Sequence, residues 1–157
     1  MSSIPIDRIR TLAADPDFIV AVDVLYAALD ARITARQPRC INRGLCCHFA
    51  TFGHKLFVTP VELAYFIAKS EVRPTADTDS ESCPYHVDGR CTTRDGRPTG
   101  CRIFFCEQVS QAWQSPETEA ILDEIKTLHA RFDVPYAYVE WLHALRLICE
   151  TEAPPPT

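Results

Sequence analysis

The chain predicts a mainly α-helical single domain whose helices frame an irregular, cysteine-rich segment, with room for one short β-hairpin. Two observations carry this. Apolar residues recur at helical spacing, with capping signals, on both sides of residues 40 to 106. Between them lie glycine- and proline-punctuated stretches that suit no long regular element. With 157 residues and 46% hydrophobic content, one domain has enough chain to bury a core. Residues 1–157 therefore read as one unit.

The elements follow in order. The run "IDRIRTLA" after Pro5 gives a short helix. Asp15 then supplies an N-cap and Pro16 a first-turn residue for a long one. Phe18, Val22, Leu25, Leu29 and Ile33 form its core stripe, and Pro38 closes it. "FATFGHKLFV" carries aromatic and β-branched residues around Gly53, which suits a hairpin or two extended pieces. In "TPVELAYFIAKS", Thr59, Pro60 and Glu62 spell a capping box at the head of a helix of about ten residues. "EVRPTADTDSES" reads as a polar loop. In the block "CPYHVDGRCTTRDGRPTGCRIFFC", both "VDGR" and "RDGR" read as tight turns in which glycine supplies positive φ.

Two helices finish the domain. Ser115 and Pro116 open the first, with Ile121, Ile125, Leu128 and Phe132 inward. The second carries Tyr138, Trp141, Leu142, Leu145 and Ile148 on its apolar side. "TEAPPPT", residues 151–157, is a flexible tail.

Charge and pattern exclude several function classes. A net charge of −5 argues against a nucleic-acid binder, which needs a basic face. No apolar run approaches the roughly 20 residues of a membrane span, and "MSSIPIDRIR" lacks the apolar stretch of a signal peptide. The expected location is the cytoplasm. The chain has no P-loop, dinucleotide fingerprint, H-E-x-x-H helix, nucleophile elbow or C-x3-C-x2-C run, so no conventional catalytic class is announced.

The eight cysteines carry the chemistry. Cys40, Cys46, Cys47, Cys83, Cys91, Cys101 and Cys106 fall between residues 40 and 106, while Cys149 stands beside Ile148 on an apolar stripe. In a reducing compartment such a cluster favours metal ligation over disulfides. Cys149 is read as packing, because a lone buried cysteine behaves as a small hydrophobe. No C-x2-C spacing occurs, so neither a paired zinc knuckle nor a ferredoxin run is spelled.

The vicinal pair Cys46-Cys47 is informative. Neighbouring side chains point to opposite faces of an extended chain and diverge by roughly 100° on a helix. Such a pair reaches two metal atoms more easily than one. Seven thiols also exceed the four that one tetrahedral zinc or one [4Fe–4S] cluster takes from protein. These features favour a multinuclear cluster, two neighbouring centres, or one ligand plus one packed thiol; four ligands on one structural zinc, with the rest packed, is the simpler alternative. Arg43, Arg90 and Arg102 sit beside cysteines and are expected to favour thiolates. His48 follows Cys47 and His86 lies three residues after Cys83; both are assigned supporting or surface roles. His54 reads as a turn residue, and His129 and His143 as structural histidines on helices.

These residues resemble the YkgJ-type cysteine cluster family, described as zinc- or iron-chelating. The family's first block is CxxCxxCC; here it reads C-I-N-R-G-L-C-C, with Arg43 where the second cysteine usually lies and Gly44 kept. The second block matches more closely through Cys83-Pro84, Gly89-Arg90-Cys91, Arg97-Pro98, Cys101-Arg102, Phe104 and Cys106. The resemblance spans about residues 40 to 106. It implies a metal-binding protein with an iron–sulfur cluster in a redox or electron-transfer role, an Fe–S oxidoreductase if it is an enzyme. The expected partner is a redox or other protein. Two rivals stand beside it: a structural zinc module for partner recognition, and an iron-dependent enzyme related to flagellin lysine N-methylases.

Overall fold

A computed structural model describes residues 4–36, 56–70, 85–87, 90–91, 93–103 and 111–152, with the backbone alone at 86–87, 90–91, 94, 111–112 and 149–152. Cys40, Cys46, Cys47, Cys83 and Cys106 lie outside the described residues, as do Arg43, His48 and His54 and the tail from residue 153. Among the described residues, six α-helices carry the fold, with four two-residue strands: α1 (Ile6–Ala13), α2 (Pro16–Ala35), β1 (Phe57–Val58), α3 (Pro60–Lys69), β2 (His86–Val87), β3 (Arg90–Cys91), α4 (Thr99–Ile103), α5 (Gln111–Arg131), β4 (Val139–Glu140) and α6 (Trp141–Glu152). It is a small, mainly helical single domain. None of the described helices is long and apolar enough to cross a membrane.

α3 is the central element. Residues 60–66 are all buried, so this helix meets neighbours around its whole circumference. Its start obeys the sequence: Thr59 Oγ1 accepts from the Glu62 N–H, and Glu62 Oε2 accepts from the Thr59 N–H at 2.7 Å. Phe66 packs edge-on against Tyr85 and Trp141, with ring centroids 5.0 and 4.8 Å apart. One residue of α3 thus anchors both the second cysteine block and the start of α6.

α2 begins as its sequence says, with Asp15 Oδ1 accepting from the Asp17 N–H at 3.0 Å and Pro16 first in the helix. Phe18, Val22, Leu29 and Ile33 are buried as expected, and Tyr26 joins them. α1 ties in by two arginines. Arg8 donates to the Phe132 carbonyl beyond α5, and Arg10 Nη2 donates to the Ile148 carbonyl of α6 at 3.3 Å.

Four expectations are corrected. First, α5 starts at Gln111, so Pro116 lies inside the helix and Ser115 does not cap it. Tertiary packing overrides the local signal. Trp113 is packed against the core beneath the Arg36 guanidinium at 5.2 Å, and Glu117 takes Arg32 at 3.3 Å and Arg36 at 3.8 Å. These contacts hold the extra turn to the end of α2 despite the hydrogen bond that proline removes.

Second, α6 runs to Glu152, into the stretch read as tail. β1, at the end of "FATFGHKLFV", pairs antiparallel with β4; Phe57 faces Glu140 and Val58 faces Val139, while residues 49–55 lie outside the described residues. Third, Tyr138 therefore precedes α6 instead of lying on it. The ladder fixes residues 139 and 140, the Trp141 N–H donates to the Leu56 carbonyl at 2.8 Å, and Tyr138 stacks on Phe57. Glu140 Oε2 then accepts the His143 N–H at 2.8 Å, capping α6, which continues to Glu152 and shortens the tail.

Fourth, Gly96 in "RDGR" serves proximity, not positive φ. It ends a short 3-10 turn, Arg94–Gly96. A Cβ there would lie 3.2 Å from Lys69 Cβ and 3.4 Å from the Phe66 backbone. At "VDGR", β2 pairs antiparallel with β3 and Val87 faces Arg90, while Asp88 and Gly89 lie outside the described residues.

α5 ends in a Schellman motif. The Val134 N–H bonds the His129 carbonyl at 3.0 Å, the Asp133 N–H bonds the Ala130 carbonyl at 3.4 Å, and Asp133 takes φ 53°. His129 is buried, as a structural histidine should be, with Nδ1 3.1 Å from the Val134 carbonyl oxygen. Its Nε2 is buried without a partner among the described residues.

Two predictions follow from this packing. Gly96→Ala should destabilise by about 1–3 kcal/mol, since the backbone of α3 must shift to admit a methyl group; chemical denaturation measures it. Burial pushes the His129 imidazole below its ordinary pKa of 6.5, outweighing its backbone hydrogen bonds to Val134 and Pro135. The unfolded chain then binds the extra proton first, so this residue's contribution is complete above about pH 6.5 and is lost as pH falls toward the folded value. His129→Gln should flatten the fall in melting temperature across that window; an unchanged slope would refute it.

Candidate functional site

Of the seven cysteines assigned to the cluster, the described residues include two. Cys91 lies in β3, with its Cα opposite His86, and Cys101 lies in α4, half-buried. Cys149 falls on α6. Among the described residues no group of three histidine, cysteine or acidic side chains is placed to hold a metal ion. The convergence expected of the seven sulfurs involves residues beyond these.

The architecture around Cys101 is well defined. α4 is only five residues long, and too short to persist by its own hydrogen bonds. Its place comes from side chains of α2 and α3. The Thr99 N–H, at its first residue, donates to Glu62 Oε1 at 2.9 Å. Glu62 thus caps two helices at once: one oxygen serves α3 through Thr59, the other serves α4. The Thr99 hydroxyl also bonds the Glu62 carboxylate and lies 3.1 Å from the Tyr26 hydroxyl, which joins α2 to the same chain.

A second anchor lies one residue past Cys101. Arg102 is 7% exposed, and each nitrogen of its guanidinium has an acceptor. Nη1 donates to Asp30 Oδ2, Nη2 to the Asp95 carbonyl and Nε to the Arg97 carbonyl, all at 2.8 Å. The plane lies over the Tyr26 ring at 4.0 Å. The charge of Arg102 is directed to Asp30 and two carbonyls.

The backbone of Cys101 is bracketed as well. Its N–H donates to the Pro98 carbonyl at 3.0 Å, and its carbonyl accepts from Arg97 Nη1 at 3.5 Å. Gly100 lets α4 lie against Leu56, whose Cδ1 would be 2.5 Å from a Cβ at that position. Comparison with protein-family models, with curated proteins and with solved structures gave no match.

A polar cleft of about 450 Å³ opens beside α4, with Arg102, Arg97, Asp30 and Asp23 among its walls. On its α3 side the Tyr65 hydroxyl donates to Asp23 Oδ1 at 2.6 Å, and Lys69 Nζ pairs with the same oxygen at 3.1 Å. Burial works to raise the Asp23 carboxyl, but Tyr65 and Lys69 outweigh it and hold its pKa below the ordinary value. Sequence reasoning missed Tyr26, Asp30, Tyr65 and Thr99. No motif marks them, although Tyr26 and Asp30 share one side of α2 four residues apart.

The donor chemistry fits a soft or borderline metal. Cysteine sulfur, in its thiolate form, binds zinc, copper(I) and iron–sulfur clusters, and Cys101 lies half-buried on α4. Glu62 is the group whose ionisation tests the frame. Burial raises its pKa above the ordinary 4.5, although bonds from Thr99 and Thr59 oppose this. A raised folded pKa means its contribution is complete below about pH 4.5 and falls as pH rises through the folded value. Glu62→Gln cannot accept at both positions and should cost about 1–3 kcal/mol. The stability gap between wild type and variant should narrow as pH rises; a gap that widens would contradict the raised pKa.

Proposed function

We propose that this protein is a metal-binding cysteine cluster protein holding an iron–sulfur cluster with a redox or electron-transfer role. The observation that carries it is the set of seven cysteines between residues 40 and 106, including the adjacent Cys46 and Cys47. A vicinal pair and a surplus over four ligands suit a multinuclear cluster better than one tetrahedral ion. The resemblance of Cys83-Pro84 through Cys106 to the YkgJ-type family points the same way.

The frame around α4 supports the reading. The segment Arg97-Pro98-Thr99-Gly100-Cys101-Arg102 is held by groups on α2 and α3, as a ligand-bearing segment needs to be. On this reading the ligands are Cys40, Cys46, Cys47, Cys83, Cys91, Cys101 and Cys106, and the thiol-rich site belongs to the reducing cytoplasm. Its partner is an electron-exchanging protein, and the enzyme class it would fall into is an Fe–S oxidoreductase.

The test is purification without oxygen, followed by iron, zinc and sulfide analysis per chain and a visible spectrum. Iron with sulfide and a charge-transfer spectrum is expected. Zinc without sulfide would overturn the cluster in favour of a structural zinc module. Cys46→Ala and Cys47→Ala should each lose metal and melt lower, because metal-binding free energy in such a site is partly folding free energy. Full metal and sulfide in either variant would show that only one of the pair is a ligand.

A further inference from the structure

Cys101 and Arg102 are consecutive, yet their side chains do different work. Every nitrogen of the Arg102 guanidinium is engaged, with Asp30 Oδ2, the Asp95 carbonyl and the Arg97 carbonyl each at 2.8 Å. The planar fork cannot turn without loosening all three bonds and its contact with the Tyr26 ring. The peptide linking it to Cys101 is therefore held from α2, through Asp30 and Tyr26. From the other side, Pro98 accepts the Cys101 N–H at 3.0 Å and the Arg102 N–H at 3.3 Å.

We propose that Arg102 is a positioning residue of the metal site: its grip on Asp30 and two carbonyls fixes the direction from which Cys101 presents its sulfur. The proposal rests on the reading of Cys101 as a ligand. Its physical basis is that metal retention and electronic character depend on ligand orientation, which groups behind the ligand control. Lysine cannot replace the fork, because one ammonium cannot span three separated acceptors or stack on the Tyr26 ring.

The experiment compares wild type, Arg102→Lys, Asp30→Asn and Leu12→Ala, all prepared without oxygen. Leu12 is buried in α1, and its truncation lowers stability without touching Arg102 or its acceptors. Each protein is assayed for iron and sulfide, for the electron paramagnetic resonance spectrum after reduction, and for cluster loss to a chelator. Arg102→Lys and Asp30→Asn should lose the cluster about tenfold faster, with altered spectra. Leu12→Ala should melt lower yet keep the wild-type spectrum and rate.

Wild-type spectra and rates in both Arg102→Lys and Asp30→Asn would overturn the proposal and leave Arg102 a packing residue. The same changes in Leu12→Ala would also overturn it, as general loosening. Should Arg102→Lys fail to fold, Asp30→Asn decides, because Asp30 is half-exposed and both carbonyl bonds remain. Zinc in the wild type would defeat the iron–sulfur reading alone, and zinc retention across the same variants would then decide the role of Arg102. A wild type that holds no metal defeats both.

Discussion

A buried carboxylate organises the site region. α3 is enclosed on all sides, so Glu62 cannot reach water and must find donors within the protein. It finds the N–H groups of Thr59 and Thr99, which open two different helices. Helix N-termini carry partial positive charge, and a carboxylate between two of them offsets part of its desolvation cost twice over. The geometry that satisfies Glu62 also dictates where α4 begins. A five-residue helix that could not stand alone thereby acquires a fixed origin.

The remaining contacts turn that fixed origin into a fixed direction. Arg102 holds the far side of α4 to Asp30, and Tyr26 serves both anchors, its hydroxyl on Thr99 and its ring under the guanidinium. Tyr26 also meets Tyr65 edge-on, and Tyr65 holds Asp23. Bonds that share members in this way polarise and constrain one another, so the effect of losing one exceeds that bond alone. α2, α3 and α4 are consequently coupled through polar side chains as well as through apolar packing.

Much of the frame was legible because it depends on local rules. Asp15-Pro16 and the Thr59–Glu62 box name their helix starts, and the apolar periods of α2 and α5 name their buried faces. Departures occur where distant groups decide. Pro116 looks like a helix start until Trp113 and Glu117 meet the arginines of α2. Tyr138 belongs to the apolar period of α6 until β1 claims the two residues after it. Gly96 looks like a turn glycine but is required by the closeness of α3. At the site, the cysteine spacing named ligand candidates, while the residues behind them carry no pattern. Tyr26, Asp30 and Thr99 acquire their roles through hydrogen bonds to residues 37, 72 and 73 positions away in sequence.

The division between frame and cluster has an energetic consequence. The buried apolar set draws on all the major helices, from Ile9 and Leu12 in α1 to Leu145 and Ile148 in α6. That is a core of ordinary construction, unlike the small metallodomains whose folding free energy is supplied almost entirely by the metal. On the proposed reading, metal binding would add to a domain that already buries its helices, with Tyr85 and Ile103 of the second cysteine block in the same core. The frame can then serve the metal in the opposite sense. Glu62 and Arg102 hold α4 through bonds that involve no sulfur, so the position of Cys101 is set by the fold before any ligand is engaged. A thiolate already in place loses little freedom on binding, and a cluster held by such ligands resists distortion when its charge changes. The proposed electron-transfer role would reward that property, which would rest on one buried carboxylate and one planar cation.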